Sequence, residues 1–379
     1  MQNKLTKRKC LTQFSRRWPP IKLMTLGALL SCGISGCSKL DASIEDLAGV
    51  DLTATPADLT PPLDMPIVSS QPPSCVGLAA TCGASGTDNC CESTVVTGGS
   101  FAMGYDKASD NAYPSPGIAT TVSEFHLDRY EITVGRFRKF VLAGQGTKTG
   151  APVNGAGSRT LNGTAGQAGW DATNWDAKLV ADTTALKTAL KCNSSYQTWT
   201  DTALAGSESL PINCITWFEA TAFCVWDGGF LPTEAEWQFA ASGGSEQRAY
   251  PWSKPAADAA IDCSHANYKI DSPSGTYCVN GTTGGVNRVG SESMNGDGKY
   301  GQSDLAGNLS EWVLDWYANP GKYPINPCDD CANLTQASFR VFRGGNHSNG
   351  APELRASRRN EESPNLRFTF IGARCARAK

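Results

Sequence analysis

The side chains most able to do chemistry in this sequence are its sulfurs and imidazoles. There are fifteen cysteines and three histidines, His126, His265 and His347. Cysteines serve either as soft thiolate ligands or as disulfide partners. Cys328-Asp-Asp-Cys331 has a zinc-like gap, but no second pair and no nearby histidine completes four ligands, so a disulfide is the expectation there. Cys10, Cys32 and Cys37 fall in a basic leader, and the twelve that remain are an even set that reads as a disulfide framework. Cys75 and Cys82 are expected to bond Cys90 and Cys91, in either order, because adjacent cysteines rarely pair with each other. Cys192 is expected to pair with Cys214, and Cys263 with Cys278. One imidazole does not make a metal site, which leaves His347 without partners in its own stretch, and His126 falls within a strand-like run.

Residues 1–37 contain seven Lys/Arg and no Asp/Glu, leaving 26 basic against 36 acidic residues in the rest. That balance argues against nucleic acid as a partner. The apolar run Leu23 to Ile34 is too short to span a bilayer, and Ile34-Ser35-Gly36-Cys37 resembles a bacterial lipobox. Residues 1–37 are therefore expected to be a lipoprotein signal peptide, with Cys37 lipidated and the membrane engaged through that anchor only. Ser38 after the cysteine points to an exported outer-membrane or cell-surface lipoprotein. Residues 38–74, rich in Pro, Asp, Ser, Ala and Thr, read as a disordered tether. Residues 75–91 read as a cysteine-rich knot, and 92–379 as the main domain.

The elements that would position any site are clearest between Leu210 and Gly244. Trp217, Ala220, Thr221, Cys224 and Val225 recur at helical spacing. Asp227-Gly228-Gly229 stops that helix, and Thr233 with Glu236 forms a capping box for the next. Thr133 is a plausible N-cap for a helix carrying Val134, Phe137 and Val141. The run Ala119 to Tyr130 alternates loosely like a strand. Residues 144–209, pinned by Trp170, Trp175 and Trp199, read as surface loops and short helices.

The segment from Leu210 to Gly244 resembles the core signature of the formylglycine-generating enzyme family, the sulfatase-modifying factors, with Phe230 where that family has arginine or lysine. Gly98-Gly99-Ser100-Phe101-Ala102-Met103-Gly104, Tyr130-Glu131-Ile132-Thr133 and Tyr250-Pro251-Trp252 resemble further family motifs. So do Asp304-Leu305-Ala306-Gly307-Asn308-Leu309-Ser310-Glu311-Trp312, with Ser310 replacing a tryptophan, and Arg340-Val341-Phe342-Arg343-Gly344-Gly345. The resemblance implies a single α+β domain of C-type-lectin-like topology, disulfide-rich and low in regular structure. Helices are expected near 134–143, 217–226 and 234–242, and strands near 100–130, 285–290 and 340–376. It also implies a bond between Cys224 and Cys375.

What the resemblance implies for chemistry is selective. The family's oxidase holds copper(I) on two cysteines a few residues after Arg-Gly-Gly, yet no cysteine lies between Cys331 and Cys375 here. Relatives that use iron take histidines from an additional domain that this chain lacks. Neither copper nor iron is expected. Calcium is expected at Asp304, Gly307, Leu309 and Glu311, a set of carboxylates and carbonyls that suits a hard cation. The loop from Arg343 is expected to offer a binding groove of Arg343, Asn346, His347, Ser348, Asn349 and Arg355, walled by Trp252, Trp312 and Trp316. The expected function is a non-catalytic, exported lipoprotein that binds a peptide, protein or glycan; the alternative is a divergent oxidase acting on a protein.

Overall fold

The structure, a computed structural model, describes residues 71–106, 117–270, 275–279, 285–318, 323 and 325–379. The expected leader, Cys37 and residues 38–70 of the expected tether lie outside the described residues. Ser74, assigned above to the end of the tether, is buried: its N–H donates to Asp227 and its hydroxyl accepts from Arg136 Nε. By those contacts it belongs to the folded body.

The elements are short. In chain order they are β1 (Ser93–Val96), β2 (Gly99–Met103), β3 (Ile118–Val122), β4 (Phe125–Asp128) and α1 (Val134–Leu142). There follow β5 (Arg159–Leu161), β6 (Thr164–Gln167), α2 (Ala172–Trp175), α3 (Thr183–Ala189), α4 (Trp217–Trp226) and α5 (Glu234–Ala241). The chain ends with β7 (Ser310–Trp316), β8 (Cys328–Asp329), β9 (Arg340–Arg343), β10 (Arg359–Glu362), β11 (Ile371–Gly372) and β12 (Ala376–Ala378). Sheets form in the orders β1-β4-β12, β10-β9-β7-β11 and β2-β3-β8, with β5-β6 as a hairpin. The three longer helices fall where the sequence places them. The strand expected at 285–290 is absent, because its backbone donors go elsewhere. Asn287 N–H bonds Asn308 Oδ1, Val289 N–H bonds the Ser209 carbonyl, and Gly290 N–H bonds Asp304.

The sheet β10-β9-β7-β11 divides two apolar cores. Side chains alternate across a strand. Trp312, Leu314 and Phe342 therefore join the core built on α4, while Val313 and Val341 join the core built on α5. Each helix starts with a capping box, Thr216 with Glu219 and Thr233 with Glu236. α4 ends in a Schellman motif: Gly228 takes the left-handed conformation (φ +79°), and Gly229 N–H bonds the Cys224 carbonyl. Trp170 and Trp199, expected as surface pins, are fully buried in the α4 core, whereas Trp175 is only partly so.

Six disulfides tie the body: Cys75–Cys91, Cys82–Cys90, Cys192–Cys214, Cys224–Cys375, Cys263–Cys278 and Cys328–Cys331. The first two fix the order that spacing left open. The zinc-like gap of Cys328 and Cys331 is closed by a disulfide, so those sulfurs are not zinc ligands.

Candidate functional site

The loop that follows β9 makes an abrupt turn at Gly344 (φ +92°) and Gly345 (φ +66°). A side chain at Gly344 would meet the ring of Trp237 at 3.2 Å and one at Gly345 the Glu353 carbonyl at 2.8 Å, so the backbone passes where only glycine fits. Beyond the turn, Asn346 Oδ1 accepts from Ser348 N–H, and Asn349 Oδ1 accepts from Asn346 N–H. These bonds fix the loop on itself, and beside it lies a cavity of about 350 Å³, lined by Phe342, Asn346, Asn349, Glu353, Asn360, Glu361 and Phe370. Three amides, two carboxylates and two phenyl rings make a polar groove with apolar patches and an acidic rim. In the β9–β10 register Asn360 lies opposite Phe342, which brings a β10 residue to this wall.

The nine residues expected to form one groove do not converge. Asn346 and Asn349 line it. Ser348 is exposed, and His347 is buried with its N–H on the Asn308 carbonyl. Burial holds the His347 imidazole down to about 4, so it is neutral at ordinary pH. Arg343 is fully buried, with Nη1 on Glu234 and Nη2 on the Ala356 carbonyl. Trp312 is a core residue, edge-on to Phe342. Trp252 stacks on Tyr250 at 5.0 Å, Arg355 pairs with Asp106, and Trp316 stacks on Arg340. For Trp312 and Arg343 the reason is register: β7 and β9 are central strands, so these side chains are buried, while Trp316 at the end of β7 is half-buried and faces a different cavity. Glu353, Asn360, Glu361, Phe342 and Phe370 were missed. The Arg-Asn-Glu-Glu of β10 carries no apolar alternation, so nothing in it signals a strand.

The groove has no sulfur ligand. All twelve described cysteines are in disulfides, and none lines the cavity. A thiolate pair for copper(I) does not fit these residues.

The expected calcium set does not fit as a whole either. Both Glu311 oxygens accept from Arg374, and Oε2 accepts also from Trp237 Nε1. Glu311 is thus a buried ion-pair partner with no oxygen to spare. Asp304 accepts from Gly290 N–H, and burial, reinforced by Glu292, pushes its carboxyl up to about 8. Gly307 N–H bonds the Gly344 carbonyl and Leu309 N–H bonds Glu131, which leaves the carbonyls of Gly307 and Leu309 as the remaining expected donors. Among the described residues, no three His, Cys, Asp or Glu side chains are grouped to hold a metal ion.

Known proteins resemble this chain over the same body. It is 27% identical over 289 residues to the formylglycine-generating enzyme of Streptomyces coelicolor, covering 74% of this chain and 87% of that one. It is 28% identical over 296 residues to the inactive C-alpha-formylglycine-generating enzyme 2 of Bos taurus, covering 74% and 85%. Among solved structures, PvdO from Pseudomonas aeruginosa is 19% identical with a TM-score of 0.48, covering 75% of this chain and 93% of that one. The model of the sulfatase-modifying factor enzyme 1-like domain matches residues 79–379, and the chain belongs to that family.

Proposed function

We propose that this protein is a non-catalytic binding module that seats an extended peptide segment of a partner protein in the groove after β9. The observation that carries the reading is the groove itself: amides and carboxylates beside two phenyl rings, with no thiol. Glu361 favours a partner segment with a basic residue, Glu353 being already paired with Arg358. Pairing of every cysteine in the body removes the ligands an oxidase of this family would use. We extend the proposal to the leader: Cys37 carries a lipid, the protein is exported, and residues 38–70 tether the body at the envelope. Cys37→Ala is then expected to move the protein from the membrane pellet to the soluble fraction; unchanged fractionation removes the anchor.

The groove is tested with a phage library of random dodecapeptides selected on the intact body. Enriched peptides are expected to carry Lys or Arg and to lose at least about tenfold in affinity with the Asn360→Ala, Glu361→Lys double variant. Equal binding by the variant places the peptide elsewhere. In parallel, copper(I) and a cysteine peptide are added in an oxygen electrode. No uptake is expected, and peptide-dependent uptake overturns the non-catalytic reading in favour of a divergent oxidase.

Calcium is a separate proposal, and it rests on Asp304 rather than Glu311. A cation supplied by backbone carbonyls and this carboxylate would answer the buried charge that Glu292 aggravates. A chelator is expected to lower the Tm of the wild type and leave that of Asp304→Asn unmoved. Identical wild-type melts with and without chelator end the calcium idea.

A further inference from the structure

The largest unexplained feature lies on the α4 side of the central sheet. Arg340, the first residue of β9, is 2% exposed and has no ion-pair partner among the described residues. Its guanidinium is held between the rings of Trp217 and Trp316, at 3.7 and 3.6 Å from their centroids. Nη1 donates to the Leu314 carbonyl, while Nε is enclosed and without an acceptor. Arginine elsewhere in this body is answered by acids: Arg136, Arg343, Arg359, Arg367 and Arg374 each contact a carboxylate. Half-buried Arg288, on the Ala84 carbonyl, also lacks one, but Arg340 is the fully buried exception among the described residues.

The acids near it are engaged otherwise. Asp315 accepts from the N–H groups of Glu234 and Asn333. Glu362, opposite Arg340 in the β9–β10 register, accepts from Ser363 N–H. Burial holds Arg340 well below the usual guanidinium value, with Asp315 opposing. The uncompensated cation therefore costs the fold stability that a bound anion would return.

Arg340 also lines a cavity of about 490 Å³, the size of a small-ligand site. Trp175, Phe218 and Trp316 give it aromatic walls, and Asn174, Gln336 and Asn365 give it amides. Of its charged lining, Lys178 and Asp171 offset each other and leave Arg340 as the net charge. With both faces of the guanidinium covered by indole and Nε enclosed, a ligand can reach only its Nη end. The N–H groups there are matched by a planar monoanion.

We propose that this cavity is a carboxylate-binding site, in which the Nη end of Arg340 takes the carboxylate and the tryptophan and amide walls take the body of the ligand. The site is distinct from the groove after β9 and stands or falls independently of the peptide reading. Two sources present this chemistry, a uronic-acid sugar and a small aromatic acid, and the probes separate them.

The test is titration of the intact body by tryptophan fluorescence and calorimetry with two matched pairs, D-glucuronate against D-glucose and benzoate against benzamide. At least one carboxylate is expected to bind about tenfold or more tighter than its neutral counterpart. The pair that shows the difference names the source. Arg340→Lys keeps the charge without the fork, and is expected to remove that preference. Since a buried variant can fail to fold, exposed Lys178→Glu serves as a second probe and is expected to weaken the carboxylate at least threefold, leaving the neutral partner unchanged. Neutral and acidic members binding alike, neither carboxylate binding, or Arg340→Lys retaining the full preference in a folded protein would each overturn the assignment.

Discussion

Most buried carboxylates among the described residues are answered by guanidinium groups. Glu234 takes both Arg343 and Arg359, Glu311 takes Arg374, and Asp128 with Asp227 shares Arg136 and Arg377. Breaking one side of such a pair leaves an unpaired buried charge, which costs far more than a surface pair contributes. Asp315, like Glu131 and Asp304, departs from the pattern. Its oxygens meet backbone N–H groups only, and burial beside Glu234 pushes its carboxyl up to about 7. A folded pKa above the unfolded one means the native state holds a proton that the unfolded state has released. The stability contribution is full below the ordinary aspartate range and is lost as pH rises from about 4 to about 7. His347 acts in the opposite sense, losing stability as pH falls from about 6.5 towards 4. Urea unfolding of Asp315→Asn across this window is expected to show a flatter decline with rising pH than the wild type. Parallel pH profiles would show that Asp315 does not carry the proton.

At the scale of elements, legibility followed local chemistry. Thr133, Thr216 and Thr233 each accept from an N–H three residues on, and two of the three have the returning glutamate that completes the box. Thr133 is legible from a hydroxyl ahead of an apolar helix face and Thr233 from hydroxyl and carboxylate spacing; Thr216 has the same spacing as Thr233, with Glu219 three residues on. Thr216→Ala and Thr233→Ala are each expected to lower stability by about 1 kcal/mol in chemical unfolding. Losses near zero would mean that burial alone sets those helix starts. Strands were harder. β7 reads Ser-Glu-Trp-Val-Leu-Asp-Trp, and its acids point into a core because Arg374 and backbone N–H groups await them. Partners so far away in sequence leave no trace in the strand's own residues. The groove suffered the same way: one wall is β10, whose charged run resembles a loop until Arg359 and Glu362 are seen paired with Arg343 and Arg340.

At the scale of the molecule, sulfur closes what the small sheets leave loose. Cys224 on α4 bonds Cys375 beside β12, across 151 residues of sequence. In the chain-entropy account a loop of that span is worth about 4–5 kcal/mol. A Cys224→Ala, Cys375→Ala double variant is expected to lose roughly that much in urea titration, and a loss under about 1 kcal/mol would show that the packed cores hold the two ends without it. The family was legible in the sequence because its tryptophan and glycine signatures are continuous; the cavity at Arg340 was not, since its walls come from α2, α4, β7 and β9.

The sheet β1-β4-β12 carries one more implication. β4 pairs on one side with Ser93–Val96 and on the other with Ala376–Ala378. During synthesis the first edge of Phe125 and Leu127 can be covered almost at once, while the second must wait until Ala376–Ala378 has left the ribosome. The nascent chain therefore passes through a long interval with an open strand edge, the condition under which translocation or a holding chaperone protects best against aggregation.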